Sequence, residues 1–135
     1  MSALNAAAQA TLASWHEMIR SRNTGGLPAL LDANAVFRSP VAHKPYVGAP
    51  AVALILQTAE KVFSNFAYHR EFVSDDGRSV VLEFSADVGD KSLKGIDMIR
   101  FDDTGKIVEF EVMVRPATGV QALGEAMGAR LSGRV

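Results

Sequence analysis

Two runs of strand-forming residues, 93–101 and 106–114, dominate the second half of the chain. They are separated by Asp102-Asp-Thr-Gly105, a turn sequence whose glycine can take the left-handed conformation that hairpin loops need. The sequence therefore predicts a β-hairpin. Two further strand-like runs, 66–73 and 79–88, precede it and are joined by short turns, which extends the prediction to an antiparallel meander.

Asp97 lies in the middle of the first hairpin strand. Because side chains alternate along a strand, Asp97 shares a face with Leu93, Gly95, Ile99 and Phe101. Burying a bare charge among such neighbours is costly. We therefore expect this carboxyl group to be hydrogen-bonded, to have a shifted pKa, or to face a cavity.

The first half of the chain is predicted to be helical. Residues 5–22 carry apolar and aromatic side chains at helical spacing, and Asn23-Thr-Gly-Gly26 ends that helix. Helices that precede a group of antiparallel strands are typical of α+β folds. The remaining predicted elements are a short helix from 28 to 31, a strand at 35–39, a loop at 41–48, a helix at 50–63 and a final helix at 120–131.

Composition limits the classes of function. The 135 residues, 48% hydrophobic and 21% charged, predict one soluble domain spanning 1–135. A net charge of -1 without a basic run argues against binding to nucleic acid or to acidic membranes. The absence of cysteine excludes disulfides and thiolate metal sites, and it fits a cytoplasmic location. No apolar run approaches the roughly 20 residues of a membrane span.

Several short motifs occur in a characteristic order, namely Trp15, Phe37-Arg-Ser-Pro40, Gly48, Gly95-Ile-Asp97, Phe101, Gly105-Lys-Ile107 and Val114-Arg-Pro116. Together with the order of elements, they resemble the nuclear transport factor 2-like superfamily, in particular its SnoaL-like polyketide cyclase and ketosteroid isomerase-like group. The resemblance implies a cone-shaped α+β fold with a short C-terminal helix. In it, a curved, mostly antiparallel (mixed) sheet wraps around the N-terminal helices and encloses an apolar pocket. Members include enzymes and non-catalytic binding domains, so the fold alone does not decide the function.

The resemblance implies that Asp97 is a catalytic acid or base, because enzyme members carry a carboxylate in the corresponding strand. Desolvation would raise its pKa and make it a better base near neutral pH. Alternatively, Asp97 only ties the sheet to a helix. His16 lies beside Trp15 on the first helix, where it either hydrogen-bonds Asp97 to form a catalytic dyad or is bonded to a backbone carbonyl at the edge of the core.

The expected substrate-binding residues are mostly aromatic. We expect Trp15, Phe37, Phe63, Phe84 and Val112 to shape the cavity, although Trp15 can also serve only as a large core side chain. His43 and Tyr46 are expected in a loop that covers the cavity mouth, where each either donates to a ligand oxygen or only packs on the surface. The histidines have no metal-ligand spacing, and the chain has no phosphate-binding glycine loop. The sequence therefore predicts neither a metal site nor a cofactor.

Two positions depart from enzyme members of the superfamily. Epoxide hydrolases use an arginine two residues before the strand aspartate and a second aspartate on the last strand, and the matching positions here are Gly95 and Val112. Epoxide hydrolysis is thereby disfavoured. The first-helix tyrosine of ketosteroid isomerases is replaced by Trp15 or His16.

Two functions of different classes remain open. In the first, the chain is a cyclase or isomerase that uses Asp97 as acid or base on a small apolar carbonyl compound. In the second, it is a non-catalytic module for small-molecule binding or dimerisation. Apolar residues on both faces of the sheet, such as Met98 opposite Ile99, predict a homodimer formed through the sheet.

Overall fold

The computed structural model describes residues 3–132, which form three α-helices and six β-strands. The α+β class is as predicted, and so is the order of the elements apart from β2. The elements are α1 (Ala6–Ser21), a 3-10 turn (Leu27–Leu30), β1 (Leu31–Arg38), β2 (Tyr46–Val47), α2 (Ala49–Val62), β3 (Ser64–Val73), β4 (Ser79–Val88), β5 (Lys91–Phe101), β6 (Ile107–Arg115) and α3 (Ala117–Leu131). No helix in this described part is long and apolar enough to cross a membrane.

All six strands belong to one open, curved sheet with the order β2-β1-β6-β5-β4-β3. Strands β3 to β6 form the predicted antiparallel meander. The sheet is mixed because β1 lies parallel to β6. This pairing joins the helical first half of the chain to the meander, and it leaves β5 in the interior of the sheet.

The helices pack on one face of the sheet and form the core with it. On β5 the buried residues are those that the two-residue alternation predicts, Asp97 among them. Helix α1 buries Ala8, Leu12 and Trp15, spaced by three and four residues as a helix face requires. The inner face of β4 and β5 is therefore buried and mostly apolar, and Asp97 is the residue of these two strands that lines the cavity described below.

Three elements differ from the sequence-based expectation. Strand β1 begins at Leu31 rather than at 35. The segment 41–48, predicted as a loop, contains β2, in which Tyr46 is paired with Phe37 across the sheet edge. Such a short strand depends on the exposed edge of β1 and has no local sequence signal. Helix α3 begins at Ala117 rather than at 120, because the Pro116 carbonyl accepts the Val120 N–H at 3.0 Å.

Gly95 brings two strands and an aromatic ring unusually close together. A Cβ atom at this position would lie 2.3 Å from the Met113 carbonyl oxygen and 2.7 Å from the Phe84 ring. Gly95 is therefore required for packing, since any side chain here would collide with the Phe84 ring and the Met113 carbonyl. Gly105 fulfils the predicted turn role, with φ +87 in the hairpin loop.

Candidate active site

A cavity lies between the inner face of the sheet and the three helices. Its walls are mainly apolar, with side chains from α2 on one side and Leu123, Met127 and Leu131 of α3 on another. Seven aromatic residues contribute to the lining: Trp15, Phe37, Tyr46, Phe63, Phe66, Tyr68 and Phe110. A space with this lining suits an organic molecule better than a charged metabolite.

Asp97 is the carboxylate that β5 directs into this cavity. It is 6% exposed, and its neighbours across the sheet are Leu82 and Val112. Burial raises the pKa of Asp97 to about 7, because desolvation disfavours the charged form. The group therefore changes its protonation state near neutral pH.

Tyr68 holds the carboxyl group of Asp97 in place. Its hydroxyl donates a hydrogen bond to Asp97 Oδ2 at 2.5 Å and accepts one from Trp15 Nε1 at 2.9 Å. Burial, and then the negative charge of Asp97, raise the pKa of Tyr68 well above its usual value. Tyr68 thus stays protonated and remains a donor. Within residues 3–132, the side-chain hydrogen bonding of Asp97 runs through Oδ2, which leaves Oδ1 for a ligand.

Aromatic rings fix the orientation of Tyr68. The Phe66 ring meets it edge-on with centroids 4.9 Å apart, and the His16 ring does so from another side at 5.3 Å. Phe84 stacks on Phe66 at 5.0 Å and meets Phe63 at 5.8 Å. These contacts restrict rotation of the Tyr68 ring and hold its hydroxyl in position to donate to Asp97.

Among residues 3–132, His16 makes neither of the two hydrogen bonds expected as alternatives, to Asp97 or to a backbone carbonyl. Its Nε2 lies 3.5 Å from Glu71 Oε1, and the side chain is 38% exposed, in an outer cleft beside α1 and β3. Consecutive helical residues point about 100° apart, and the larger Trp15 takes the inward direction. The buried partner of Asp97 is therefore Tyr68. His16 contacts Asp97 only indirectly, because its ring packs edge-on against the Tyr68 ring.

The other predicted pocket residues divide into two groups. Trp15, Phe37, Tyr46, Phe63 and Val112 line the cavity together with Asp97, whereas Phe84 lies behind the wall and His43 is exposed in its loop. The loop that carries His43 does not bring its imidazole to the cavity, because β2 pairs only Tyr46 and Val47 with β1.

Sequence reasoning missed Tyr68 and the contribution of α3. The sequence does indicate that Tyr68 faces inward, because strand alternation places it on the same face as Phe66. That Tyr68 meets Asp97 depends on the strand register, which the sequence does not reveal. Further polar residues of the lining are Arg22, Ser39 and Glu60. Within the described part of the chain, no group of three or more histidine, aspartate or glutamate residues is arranged to hold a metal ion.

Residues 12–110 match the model of a family described as the SnoaL-like domain. The chain belongs to this family. The SnoaL-like match covers α1 from Leu12 onward and every strand up to the middle of β6, so it includes Trp15, Tyr68 and Asp97. The resemblance seen in the sequence is thereby confirmed. No curated protein matches the chain.

Several solved structures are similar to this SnoaL-like domain. A steroid delta-isomerase from Pseudomonas aeruginosa is 65% identical, with 98% of this chain and 96% of that chain covered and a TM-score of 0.95. An uncharacterized bacterial protein with a cystatin-like fold from Silicibacter pomeroyi is 34% identical over 92% of this chain and 86% of that one, with a TM-score of 0.85. An NTF2-like protein of unknown function from Mesorhizobium loti is 18% identical over 82% and 92% of the two chains, with a TM-score of 0.72, and supports the fold alone.

Proposed function

We propose that this SnoaL-like domain is an isomerase that moves a proton next to the carbonyl group of a small apolar compound, without a cofactor. The observation that carries the proposal is the buried Asp97 carboxyl group, held through Oδ2 by Tyr68 and facing an apolar cavity. The 65% identity to a steroid delta-isomerase supports the same class of reaction.

The proposed reaction begins with Asp97 in its ionised form. Its free oxygen takes a proton from the carbon next to the substrate carbonyl, and the C–H electron pair forms the double bond of an enolate. Asp97 then returns the proton to a different carbon while the carbonyl re-forms, so a double bond moves and no atom is gained or lost. A pKa of about 7 suits both steps, because a base with this pKa is ionised and still readily returns its proton near neutral pH.

Tyr68 and Trp15 act as positioning residues in this proposal. The hydrogen bond from Tyr68 lowers the pKa of Asp97 and so opposes part of the effect of burial. The bond from Trp15 Nε1 fixes the Tyr68 hydroxyl. The apolar wall excludes water, which strengthens the electrostatic interactions inside the cavity.

Isomerisation of a non-conjugated ketone tests this proposal. We would supply a cyclohexenone whose double bond is separated from the carbonyl by one carbon, and a steroid with the same arrangement. The conjugated product is followed by its ultraviolet absorption. We expect turnover by the wild-type protein and a loss of about 100-fold or more in Asp97→Asn. The control is Asp90→Asn, the same change in an exposed turn. Turnover by Asp97→Asn at the wild-type rate would contradict the proposal.

One observation favours a non-catalytic role instead. The Tyr68 hydroxyl and the Trp15 indole are both engaged within the chain of hydrogen bonds that ends at Asp97. Neither is free to stabilise an enolate oxygen, and a binding protein needs no such group. Tight binding of a ketone to the wild-type protein without any conversion would favour this second function.

We also propose that the domain forms a homodimer through the outer face of its sheet. Phe72 and Met113 are 53% and 46% exposed on this face, next to the half-buried Val81, Ile96 and Met98. An apolar face of this kind suits a two-fold symmetric interface. Sedimentation should show a dimer for the wild type and a monomer for Met113→Lys. Glu125→Lys on the exposed side of α3 is the control, and a monomeric wild type would contradict this proposal.

A further inference from the structure

A second polar position lies where the cavity opens to solvent. Arg22 at the end of α1 and Glu60 in the last turn of α2 line the same cavity as Asp97. The Arg22 side chain is 55% exposed and that of Glu60 is 11% exposed. The pair therefore stands at the boundary between the cavity and water.

Arg22 occupies a backbone conformation in which glycine is the usual residue. It ends α1 with φ 56 and ψ 33, in the left-handed region, where a side chain is disfavoured. The contacts of the side chain account for an arginine here. Arg22 Nη2 donates to the main-chain carbonyl of Glu60 at 3.0 Å, and Nε lies 3.1 Å from Glu60 Oε1.

Glu60 Oε1 lacks a hydrogen bond despite this proximity. The atom is buried, and within residues 3–132 no donor meets it with hydrogen-bond geometry, because the Arg22 guanidinium is turned toward the Glu60 carbonyl. The nearby Arg22 Nε offsets part of the charge of this buried oxygen, but native proteins seldom leave such an atom without a hydrogen-bond donor. A donor brought by a ligand would complete its bonding.

The charges of the pair select among polar groups. A hydroxyl can donate to Glu60 and accept from Arg22 at the same time. A ketone oxygen cannot donate to Glu60, a carboxylate is repelled by Glu60, and an ammonium group is repelled by Arg22. A hydroxyl is therefore a small, uncharged group that satisfies both residues.

The cavity has two polar ends, one at Asp97 and Tyr68 and the other at the Arg22–Glu60 pair. Helix α1 runs between them and sets the distance that separates them. Trp15, which is bonded to Tyr68, and Arg22 are seven positions apart in the sequence, so they are about 10 Å apart along the helix axis. Ile19 lies between them and also lines the cavity. The space between the two ends is apolar.

We infer that the Arg22–Glu60 pair binds a hydroxyl group of the substrate, at the end remote from the carbonyl group that meets Asp97. This inference rests on the proposed function, and it narrows the substrate class to apolar hydroxyketones with an apolar body between the two oxygens. The pair would then determine specificity and orientation, while Asp97 performs the proton transfer.

A matched pair of ketones tests the inference. The first is cyclohexanone with a phenyl group opposite the carbonyl, and the second carries an additional hydroxyl at the far end of the phenyl ring. We expect the wild-type protein, titrated by calorimetry, to bind the hydroxyl compound about tenfold more tightly, as one charge-assisted hydrogen bond allows. In Glu60→Met, which fills similar space without an acceptor, the two compounds should bind within about twofold of each other.

Two further variants complete the design. Glu125→Met makes the same change on the exposed side of α3 and should keep the tenfold preference for the hydroxyl compound. We expect Arg22→Gly to fold, because glycine suits the left-handed position, and to lose most of the preference for the hydroxyl compound. It therefore tests the pair independently if Glu60→Met does not fold. Equal binding of both ketones to the wild type would overturn this inference alone. Binding of neither ketone would overturn the proposed function and this inference together.

Discussion

The raised pKa of Asp97 predicts that ionisation of this group destabilises the fold. Burial raises the pKa from 3.8 to about 7, so the native state keeps its proton through a range of pH in which the unfolded chain has lost it. Stability therefore falls as the pH rises through this range and levels off above it. A shift of about three pH units corresponds to about 4 kcal/mol in total, of which about 3 kcal/mol is lost between pH 5 and pH 8.

Asp97→Asn removes this dependence, because the amide has a similar shape and no charge at any pH. The free energy of unfolding would be measured by urea denaturation of both proteins between pH 5 and pH 8. Carboxylates with lowered pKa values, such as Asp76 and Asp102, are present in both proteins, so the difference between the two curves isolates Asp97. Between pH 5 and pH 8, the free energy of unfolding of Asp97→Asn should rise by about 3 kcal/mol relative to that of the wild type. This corresponds to a relative rise in melting temperature on the order of 10 °C.

Asp90→Asn is the matched control, since it makes the same change in an exposed turn. Its stability should follow the wild-type curve throughout the range. If the difference in stability between wild type and Asp97→Asn stayed constant from pH 5 to pH 8, Asp97 would not ionise there, and the reasoning from its burial would be refuted.

Two other substitutions test the surroundings of Asp97. In Tyr68→Phe the pKa of Asp97 should rise further, because the lost hydrogen bond lowers that pKa; the pH at which isomerisation reaches half its maximum should therefore move upward from about 7. Gly95→Ala should destabilise the protein by about 2 kcal/mol in urea denaturation, since the new methyl group collides with the Met113 carbonyl and the Phe84 ring.

Each of these variants has a control in the same chain. Tyr46→Phe removes the hydroxyl of another tyrosine that lines the cavity and should leave the pH profile in place. Gly128→Ala introduces a methyl group that meets no atom within 4 Å beyond its chain neighbours and the nearby backbone of its own helix, so it should be neutral or stabilising. An unchanged profile in Tyr68→Phe, or wild-type stability in Gly95→Ala, would contradict the assigned contacts.

The position of Asp97 on the inner face could be predicted because strand alternation is a local property. The residues of β5 alternate without interruption, so a two-residue period is enough to orient each side chain. The hairpin loop at Gly105 was predictable for the same reason, since its left-handed backbone is encoded within the turn itself.

The partner of Asp97 was not predictable from the sequence. Tyr68 reaches Asp97 across β4, and the pairing of β3 with β4 shifts register after Tyr68, which no local pattern reveals. Helical periodicity allowed both Trp15 and His16 to face the core. In the folded chain the larger Trp15 is buried there, and His16 lies at the surface. The contact between Arg22 and Glu60 likewise joins two helix ends that only the folded chain brings together.

We propose that Asp97 moves a proton to and from the carbon next to a carbonyl group. This transfer can be observed as the exchange of the hydrogens beside the carbonyl of cyclohexanone for deuterium, followed by nuclear magnetic resonance in heavy water. We predict that the wild-type protein accelerates this exchange, with a rate that rises as the pH passes about 7, and that Asp97→Asn does not accelerate it. Equal acceleration by Asp97→Asn would contradict this proposal.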